Sequence, residues 1–546
     1  MEQPIPSCGD CTDNAPRGGA SKRNKNIVFS TRKPCSADGE SMAQITQLKH
    51  EISEKVPTMI SVKQDQLSEW FSNARGLQGR RIWLVGAGGT GVSGLARLLR
   101  KRGALVSGAD SEASPAVKLL QTEGFDISIG DASQIPEGIE LVIATAAAKA
   151  DHPQLVEAAN KNIPLRNYAQ ALGLLQLGHT AVCVAGTHGK STTTCLLTWC
   201  LLHAGFDPGF IAGATCASLG GSARAGSATL SKGPYSHAPG FLVTESCEFD
   251  RSFHKLHPTT AIINNVECDH LDCYKSLDEI VESFNTFAKL LPAATARGYL
   301  LIAHEGAHRE RVTRDVTAEI ETFGWHPSAD YVVDMAANGL ARVHHKKKEI
   351  MRWHPRLFGA HNVLNGAAAG IMALKLGADR LSVEDALTSF AGVDRRLEFL
   401  GERKCDEQNV RVYDDYGHHP TEVRVTLEAL KNATNPRRLI CLFQPHQHSR
   451  TRLLLEEFGA CFGAADHVLL TDIHFVRDAQ IERTLVSSQD VAQRIRKHGG
   501  TVECVGTIEA GAARLNELAQ GGDVVVTMGA GPIYRAANIF LKSHTT

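Results

Sequence analysis

Twice in this chain a short apolar run stops at glycines and passes straight into a pattern of helical periodicity. Arg81-Ile-Trp-Leu-Val85 leads into Gly86-Ala-Gly88-Gly89-Thr-Gly91 and then VSGLARLLRKR over 92–102. Ala181-Val-Cys-Val-Ala185 leads into Gly186-Thr187-His188-Gly189-Lys190-Ser191-Thr192 and then TCLLTWCLLHAG. A strand that turns at once into a helix needs residues at ease with positive φ, and the helix carries the chain back to a parallel neighbour. The alternation recurs at Ala104-Leu-Val106, Glu140–Thr145, the helical Pro153–Asn160, Gly240–Thr244 and Thr260–Asn264. It returns beyond about residue 394 at Val410–Tyr413, Arg438–Phe443, His467–Thr471 and Asp523–Thr527. This pattern predicts an α/β architecture with mostly parallel sheets. A Gly/Ser/Pro-rich stretch at 218–240 reads as a surface loop.

A chain of 546 residues divides into three or four domains of about 150 residues each. With 58 Lys and Arg against 59 Asp and Glu, a net charge of −1, it lacks the basic excess of a bulk nucleic-acid binder, although a local phosphate site needs only a few residues. No stretch reaches the roughly 20 apolar residues of a membrane span, and the opening MEQPIPSCGDCTDN has no apolar signal-peptide core. The 14 cysteines are scattered through a large chain, so the expectation is a reducing, cytoplasmic setting with neither membrane nor nucleic acid as partner. Residues 1 to 45 or so are polar and predict a disordered tail. Its Cys8–Cys11 pair and lone Cys35 lack the second pair that a zinc site needs.

The GTHGKST loop carries the strongest chemical signal. Gly186 and Gly189 let backbone N–H groups close around phosphate oxygens at a helix N-terminus, Lys190 can reach β/γ phosphates, and the Ser191 hydroxyl can serve Mg²⁺. The earlier loop, Gly86, Gly88, Gly89 and Gly91 with Asp110 about 20 residues further on, can hold a pyrophosphate; alone it reads as a dinucleotide site. Acids and histidines gather where strands end: Glu245, Glu248 and Asp250 after one, and Asn265, Glu267, Asp269, His270 and Asp272 after another. Carboxylates there can neutralise Mg²⁺, with Glu245 and His270 favoured and the rest a supporting shell. His361, Asn362 and Asn365 of GAHNVLN could bond an adenine edge or simply cap a helix. Arg395-Arg396-Leu-Glu398 could reach γ-phosphate charge or form a solvated pair. The last block offers DDYGHHPTE from Asp414 and FQPHQHSRTR from Phe443, in which Asp414 and His448 are expected to stabilise loops. Despite 24 histidines, no HExxH supports a zinc centre.

Taken together and in order, GAGGTGVSGLA, AGTHGKSTTT, ESCEFDRSFHKLHP, NNVECDHLD, GAHNVLN, GVDRRLE, DDYGHHPTE, FQPHQHSRT and TMGAG resemble the Mur ligase family over residues 79–546. The resemblance implies three domains behind a tail and lead-in at 1–78. These are a Rossmann-like UDP-binding domain at 79–176, a central P-loop ATPase domain at 177–393 and a C-terminal Rossmann-like amino-acid-binding domain at 394–546. It implies that the GxGxxG loop holds a UDP pyrophosphate rather than NAD, and that ATP and Mg²⁺ are needed.

By position, the resemblance places ATP on Gly186, Thr187, His188, Gly189, Lys190, Ser191 and Thr192. His361, Asn362 and Asn365 would lie near adenine, and Arg396 near the phosphates. Ser191 and Glu245 would serve one Mg²⁺ and His270 a second. Gly86, Gly88, Gly89, Gly91, Asp110, His188 and Asn265 would meet the UDP-substrate. Tyr416, His418, His446 and Arg450 would meet the amino acid and the acyl phosphate, so that Lys190, His270, His418, His446 and Arg450 form the catalytic group.

The implied reaction joins L-alanine to the lactyl carboxylate of UDP-N-acetylmuramate through an acyl phosphate, in peptidoglycan precursor synthesis. A recycling ligase that attaches a peptide to the same UDP-sugar is the nearest alternative. An NAD(P)-dependent oxidoreductase would leave GTHGKS unexplained. A non-catalytic nucleotide-binding regulator would find its support in Gln447, which stands where the family pattern has Arg. Other departures are Thr145-Ala-Ala-Ala148 for Ser-Ser-Ala-Ile, Ser191 for Thr, and a longer 218–240 stretch.

Overall fold

In the computed structural model, which describes residues 66–130, 134–405, 408–476 and 478–543, three sheets follow one another along the chain. The expected tail and its Cys8, Cys11 and Cys35 lie outside the described residues. The first sheet contains β1 (Arg81–Val85), β2 (Leu105–Asp110), β3 (Asp126–Ile129), β4 (Leu141–Ala144) and β5 (Leu165–Asn167), in the order β3-β2-β1-β4-β5 and parallel throughout. All of β4, and β1 after its first residue, is buried, as expected of a sheet covered by helices on both faces. Residues 66–72, within the expected lead-in, are helical and carry Leu67 and Phe71 into the core.

The second sheet has ten strands: β6 (Thr180–Ala185), β7 (Gly209–Cys216), β8 (Gly221–Arg224), β9 (Phe241–Glu245), β10 (Thr260–Ile263), β11 (Tyr299–Ala303), β12 (Glu319–Gly324), β13 (Tyr331–Met335), β14 (Ala341–His345) and β15 (Lys348–Trp353). β6 lies between β9 and β10, parallel to both. An open α/β sheet offers its ligand crevice beyond the carboxyl ends of strands where the winding reverses. The antiparallel run β13-β14-β15 gave no strand–helix alternation to read in advance. These strands instead alternate buried and partly exposed residues, as a one-sided antiparallel meander does.

The loop expected at 218–240 needs correcting. Gly221–Arg224 is strand β8, antiparallel to β7, and Ser222, Ala223 and Leu230 are buried. The small residues that suggested a loop serve close packing. A Cβ at Gly94, in the helix Thr90–Lys101, would lie 2.8 Å from the Ala223 Cβ and 3.0 Å from Ile211 Cδ1.

The third sheet holds β16 (Glu398–Cys405), β17 (Gln408–Asp415), β18 (Leu439–Phe443), β19 (His467–Thr471), β20 (Val502–Gly506) and β21 (Val524–Met528), ordered β16-β17-β21-β18-β19-β20. Only β16 runs antiparallel to its neighbour. One apolar cluster runs unbroken from Leu84 and Leu99 through Leu172 to Cys183, Ile263 and Phe284, so the first two blocks share a core. The third block packs its two faces separately, around Val423 and Phe443 on one and Leu442 and Phe540 on the other. Among the described residues no helix is long and apolar enough to cross a membrane.

Candidate functional site

The loop after β6 is shaped by Gly186 (φ 138°) and Gly189 (φ 79°), the latter at the N-cap of the helix Lys190–His203. Gly189 has no room for a side chain, since a Cβ there would lie 2.4 Å from Asn365 Oδ1. Lys190 folds back over the loop. Its Nζ donates to the carbonyls of Gly186 (2.6 Å) and Thr187 (3.0 Å) and pairs with Glu248 at 2.9 Å. Burial alone would lower its pKa, but the charge of Glu248 together with that of Glu245 and the Glu248 hydrogen bond raises it, so the side chain stays an ammonium.

Beside it, Ser191 Oγ donates to Glu245 Oε2 at 2.8 Å, and the same oxygen accepts the Gly213 N–H at 2.6 Å. A hydroxyl and a carboxylate in contact at a helix N-terminus form an all-oxygen donor set, which fits a hard cation such as Mg²⁺. His270 is held in the left-handed region (φ 54°), its N–H donating to Asp269 Oδ1 at 2.7 Å.

The polar residues of GAHNVLN tie two helices together. Asn264 Nδ2 donates to Thr193 Oγ1 (3.0 Å), Thr193 donates to Asn365 Oδ1 (3.2 Å), and Asn365 Nδ2 donates to Asn362 Oδ1 (3.2 Å). Desolvation pushes His361 down to about 4, so it is neutral at pH 7.

His188 is the meeting point of the blocks. Its N–H donates to Asn265 Oδ1 at 2.7 Å, its Nδ1 lies 3.2 Å from Glu422 Oε1, and its Nε2 lies 3.6 Å from Glu267. Burial would lower the imidazole pKa, but the two carboxylates override burial and raise it to about 9; Glu267, beside the His188 imidazolium, falls to about 2. Glu422 also accepts the N–H groups of His418 (3.0 Å) and His419 (3.2 Å) and faces Arg396 at 3.6 Å. Asp415 accepts from Leu397 N and Gly417 N, and burial pushes its carboxyl up to about 7 against the pull of Arg396. Asp414 holds Arg395 at 2.8 Å and accepts from Thr527, the supporting place expected of it.

A second group gathers around Arg450. Its guanidinium donates to Asp269 Oδ1 at 3.0 and 3.2 Å and lies 3.4 Å from His446 Nδ1. The His418 ring is 5.6 Å from His446 and 5.5 Å from Tyr416. Burial drives His418 down to about 4; burial would raise Asp269, but Arg450 holds it well below the usual carboxylate range.

Of the residues singled out in the sequence, His188, Gly189, Thr192, Asn265, His361, Asn362, Asn365 and Arg396 line one cavity of about 260 Å³. The first-block loop does not line it. There Gly88 donates to Asp110 Oδ2 at 2.7 Å, and a Cβ on Gly86 would lie 2.5 Å from Thr145 Cγ2. Tyr168 packs against this loop: a Cβ on Gly91 would touch its ring at 2.6 Å, and burial, then the charge of Glu245, raise its phenol pKa. Glu267 lines the cavity too, as do Glu422 and Asp415, which the sequence offered only as members of the polar DDYGHHPTE cluster, with no role of their own. Glu422 closes a capping box with His419 at the start of the helix Pro420–Thr434, a local role that conceals its reach to His188.

Comparison with known proteins is consistent along the chain. Residues 81–179 match the Mur ligase family, catalytic domain; 184–373 match the Mur ligase middle domain; and 395–531 match the Mur ligase, glutamate ligase domain. A UDP-N-acetylmuramate–L-alanine ligase of Alkaliphilus metalliredigens is 34% identical over 85% of this chain and 97% of its own length. The chain belongs to the Mur ligase family. Mur ligases are ATP-dependent, form amide bonds in peptidoglycan synthesis, and take a UDP-N-acetylmuramate-derived nucleotide and an amino acid. Two solved Mur ligase structures share the fold. The UDP-N-acetylmuramate–alanine ligase of Thermotoga maritima superposes with a TM-score of 0.67 at 24% identity, covering 85% of this chain and 98% of that one. A murein peptide ligase of Psychrobacter arcticus gives 0.64 at 24% identity, covering 86% and 100%.

Proposed function

We propose that this Mur ligase joins L-alanine to the lactyl carboxylate of UDP-N-acetylmuramate, in the cytoplasm, with ATP converted to ADP and phosphate. The observation that carries the reading is the 34% identity, across 85% of the chain, to a ligase named for that reaction. A carboxylate is a poor electrophile for an amine at neutral pH, and phosphorylation gives it a leaving group. The lactyl oxygen attacks the γ-phosphorus and ADP departs. The alanine amine then attacks the acyl carbon, and the tetrahedral intermediate expels phosphate.

The chain's part is positioning and charge neutralisation. Lys190 leaves its resting carbonyls for the β/γ phosphates, and Gly186, Thr187, His188, Gly189 and Thr192 cradle them. His361, Asn362 and Asn365 face adenine, and Arg396 faces the phosphates. Gly86, Gly88, Gly89, Gly91 and Asp110 take the UDP pyrophosphate, with His188 and Asn265 on the sugar side. Tyr416, His418, His446 and Arg450 receive alanine; His418, neutral by burial, can accept a proton from the amine. Ser191 and Glu245 would hold one Mg²⁺ and His270 would help hold another, supplying charge neutralisation at the phosphates.

The assay that tests the reading measures phosphate release with UDP-N-acetylmuramate and ATP, comparing L-alanine, glycine, L-serine and a tripeptide. Preference for L-alanine is expected. Preference for the tripeptide would make the chain a recycling ligase, the second reading, which the fold leaves standing because the two TM-scores differ by little.

A further inference from the structure

Behind the strap that carries Arg396, the second and third blocks enclose another cavity, of about 510 Å³. A space of that size suits one small organic ligand. One wall is the ladder of β16 and β17. Arg411 and Tyr413 stand two apart on β17, and Phe399 pairs with Tyr413 across the ladder, their ring centroids 5.3 Å apart. The opposite wall is Arg356-Leu357-Phe358, just ahead of the helix Ala360–Lys375.

Three features set this space apart from ordinary packing. Phe399, on the edge strand of its sheet, keeps a flat apolar ring 52% exposed. Tyr413 is only 6% exposed, yet its phenol hydroxyl has no hydrogen-bond partner among the described residues. Such a group is costly to bury unless something polar meets it. Arg356 and Arg411 donate only to the carbonyls of Ser389 (3.3 Å) and Thr434 (2.8 Å), and neither pairs with a carboxylate among the described residues. The two acids of the lining are already engaged, Asp394 by the Thr215 hydroxyl and Glu398 by the Arg395 N–H. Burial chiefly, with Asp394 nearby, raises the Glu398 pKa, which weakens its opposition to a negative ligand.

We propose that this cavity is a second ligand site, for a flat aromatic anion whose ring lies on Phe399, whose acidic group meets Arg356 and Arg411, and whose polar edge meets the Tyr413 hydroxyl. The strap couples it to the first cavity, because Arg396 and Leu397 line both. Arg395 (φ 58°) and Leu397 (φ 53°) hold Arg396 between two left-handed residues, a conformation that a side chain makes costly and that persists only where the surroundings enforce it. Here the Leu397 N–H donates to Asp415 at 2.6 Å, and the Arg395 carbonyl accepts the Tyr416 N–H at 2.6 Å. A ligand pressed against the strap changes how Arg396 meets the occupant of the first cavity, and such coupling is reciprocal. The coupling, unlike the site itself, rests on the reading that Arg396 faces the phosphates of ATP.

The test titrates anilinonaphthalene sulfonate, a flat aromatic anion, into the full chain and follows its fluorescence with and without a saturating non-hydrolysable ATP analogue. The probe should stay bound, with its affinity altered at least about fivefold by the analogue and the analogue's affinity altered by the same factor. Phe399→Ala and Arg356→Ala should each weaken the probe at least about fivefold. Both should leave L-alanine-dependent phosphate release, measured without probe, near the unsubstituted rate. Complete displacement of the probe by the analogue, or binding indifferent to both substitutions, overturns the site. Binding that responds to the substitutions but leaves the analogue's affinity unchanged overturns the coupling. A chain with no L-alanine-dependent release would lose the ligase reading, while the probe titration would still decide the site.

Discussion

His188 and Glu422, 234 positions apart in the chain, meet through Nδ1 and Oε1 at 3.2 Å, with Glu267 on the opposite side of the same imidazole. The contact joins the phosphate loop to the N-terminus of a helix in the third block. Its charge state follows from the shift. His188 rises to about 9, from an unfolded value of about 6.5. The stabilisation is therefore fully present below about 6.5 and is lost as pH rises through about 9. NMR titration of the His188 ring should show the high inflection, and Glu422→Gln should move it down. An unmoved inflection would mean that Glu422 does not hold the imidazolium.

Lys190→Ala should abolish ADP formation. It also leaves Glu248 without its cation, so stability should fall with activity. Adding Glu248→Gln should restore much of the stability and none of the ADP. Substrate-dependent ADP release at a near-normal rate in either variant would remove Lys190 from the ATP site.

Gly189→Ala faces two costs at once. The left-handed backbone costs about 1–2 kcal/mol for a residue with a Cβ. The methyl would also meet Asn365 Oδ1 at 2.4 Å and push the helix Ala360–Lys375 from the loop. Urea denaturation should show a loss of at least that size, accompanied by weaker ATP binding in calorimetry.

Arg450→Ala strands the Asp269 carboxylate, itself 8% exposed. Breaking one side of such a buried pair costs about 3–5 kcal/mol. Combining Arg450→Ala with Asp269→Asn should recover stability while alanine-dependent phosphate release stays lost. Full recovery of turnover in the double variant would assign Arg450 a purely structural place.

Hydroxylamine supplied in place of alanine should yield a hydroxamate of the UDP-sugar, read by mass spectrometry. ADP release without hydroxamate would count against the acyl phosphate.

Much of this arrangement was legible in advance where a local pattern determines it. His467–Thr471 and Pro153–Asn160 occupy the ranges read as a strand and as a helical stretch. The glycines of GTHGKST announced a turn that no side chain could share. Contacts such as Arg450–Asp269, 181 positions apart, follow no spacing rule, since only the assembled sheets bring them together. Glu422 was hidden differently, because its nearby partner His419 explains it as a helix cap before its distant partner is considered. The strand at Gly221–Arg224 was disguised by composition, because small residues serve a tight packing seam as well as they serve a loop.

The unequal division of the core determines where the molecule can give way. Separating the first two blocks would tear a continuous apolar interior open to water. Lifting the third block off them chiefly breaks polar links, namely His188–Glu422, Thr421–Glu267, His419 to the Cys268 carbonyl and Arg450–Asp269, and each of these groups finds replacement partners in solvent. The enzyme is thus built like a vise with one fixed jaw. The phosphate loop is set in the anvil, and the travelling jaw grips through charges that water can release.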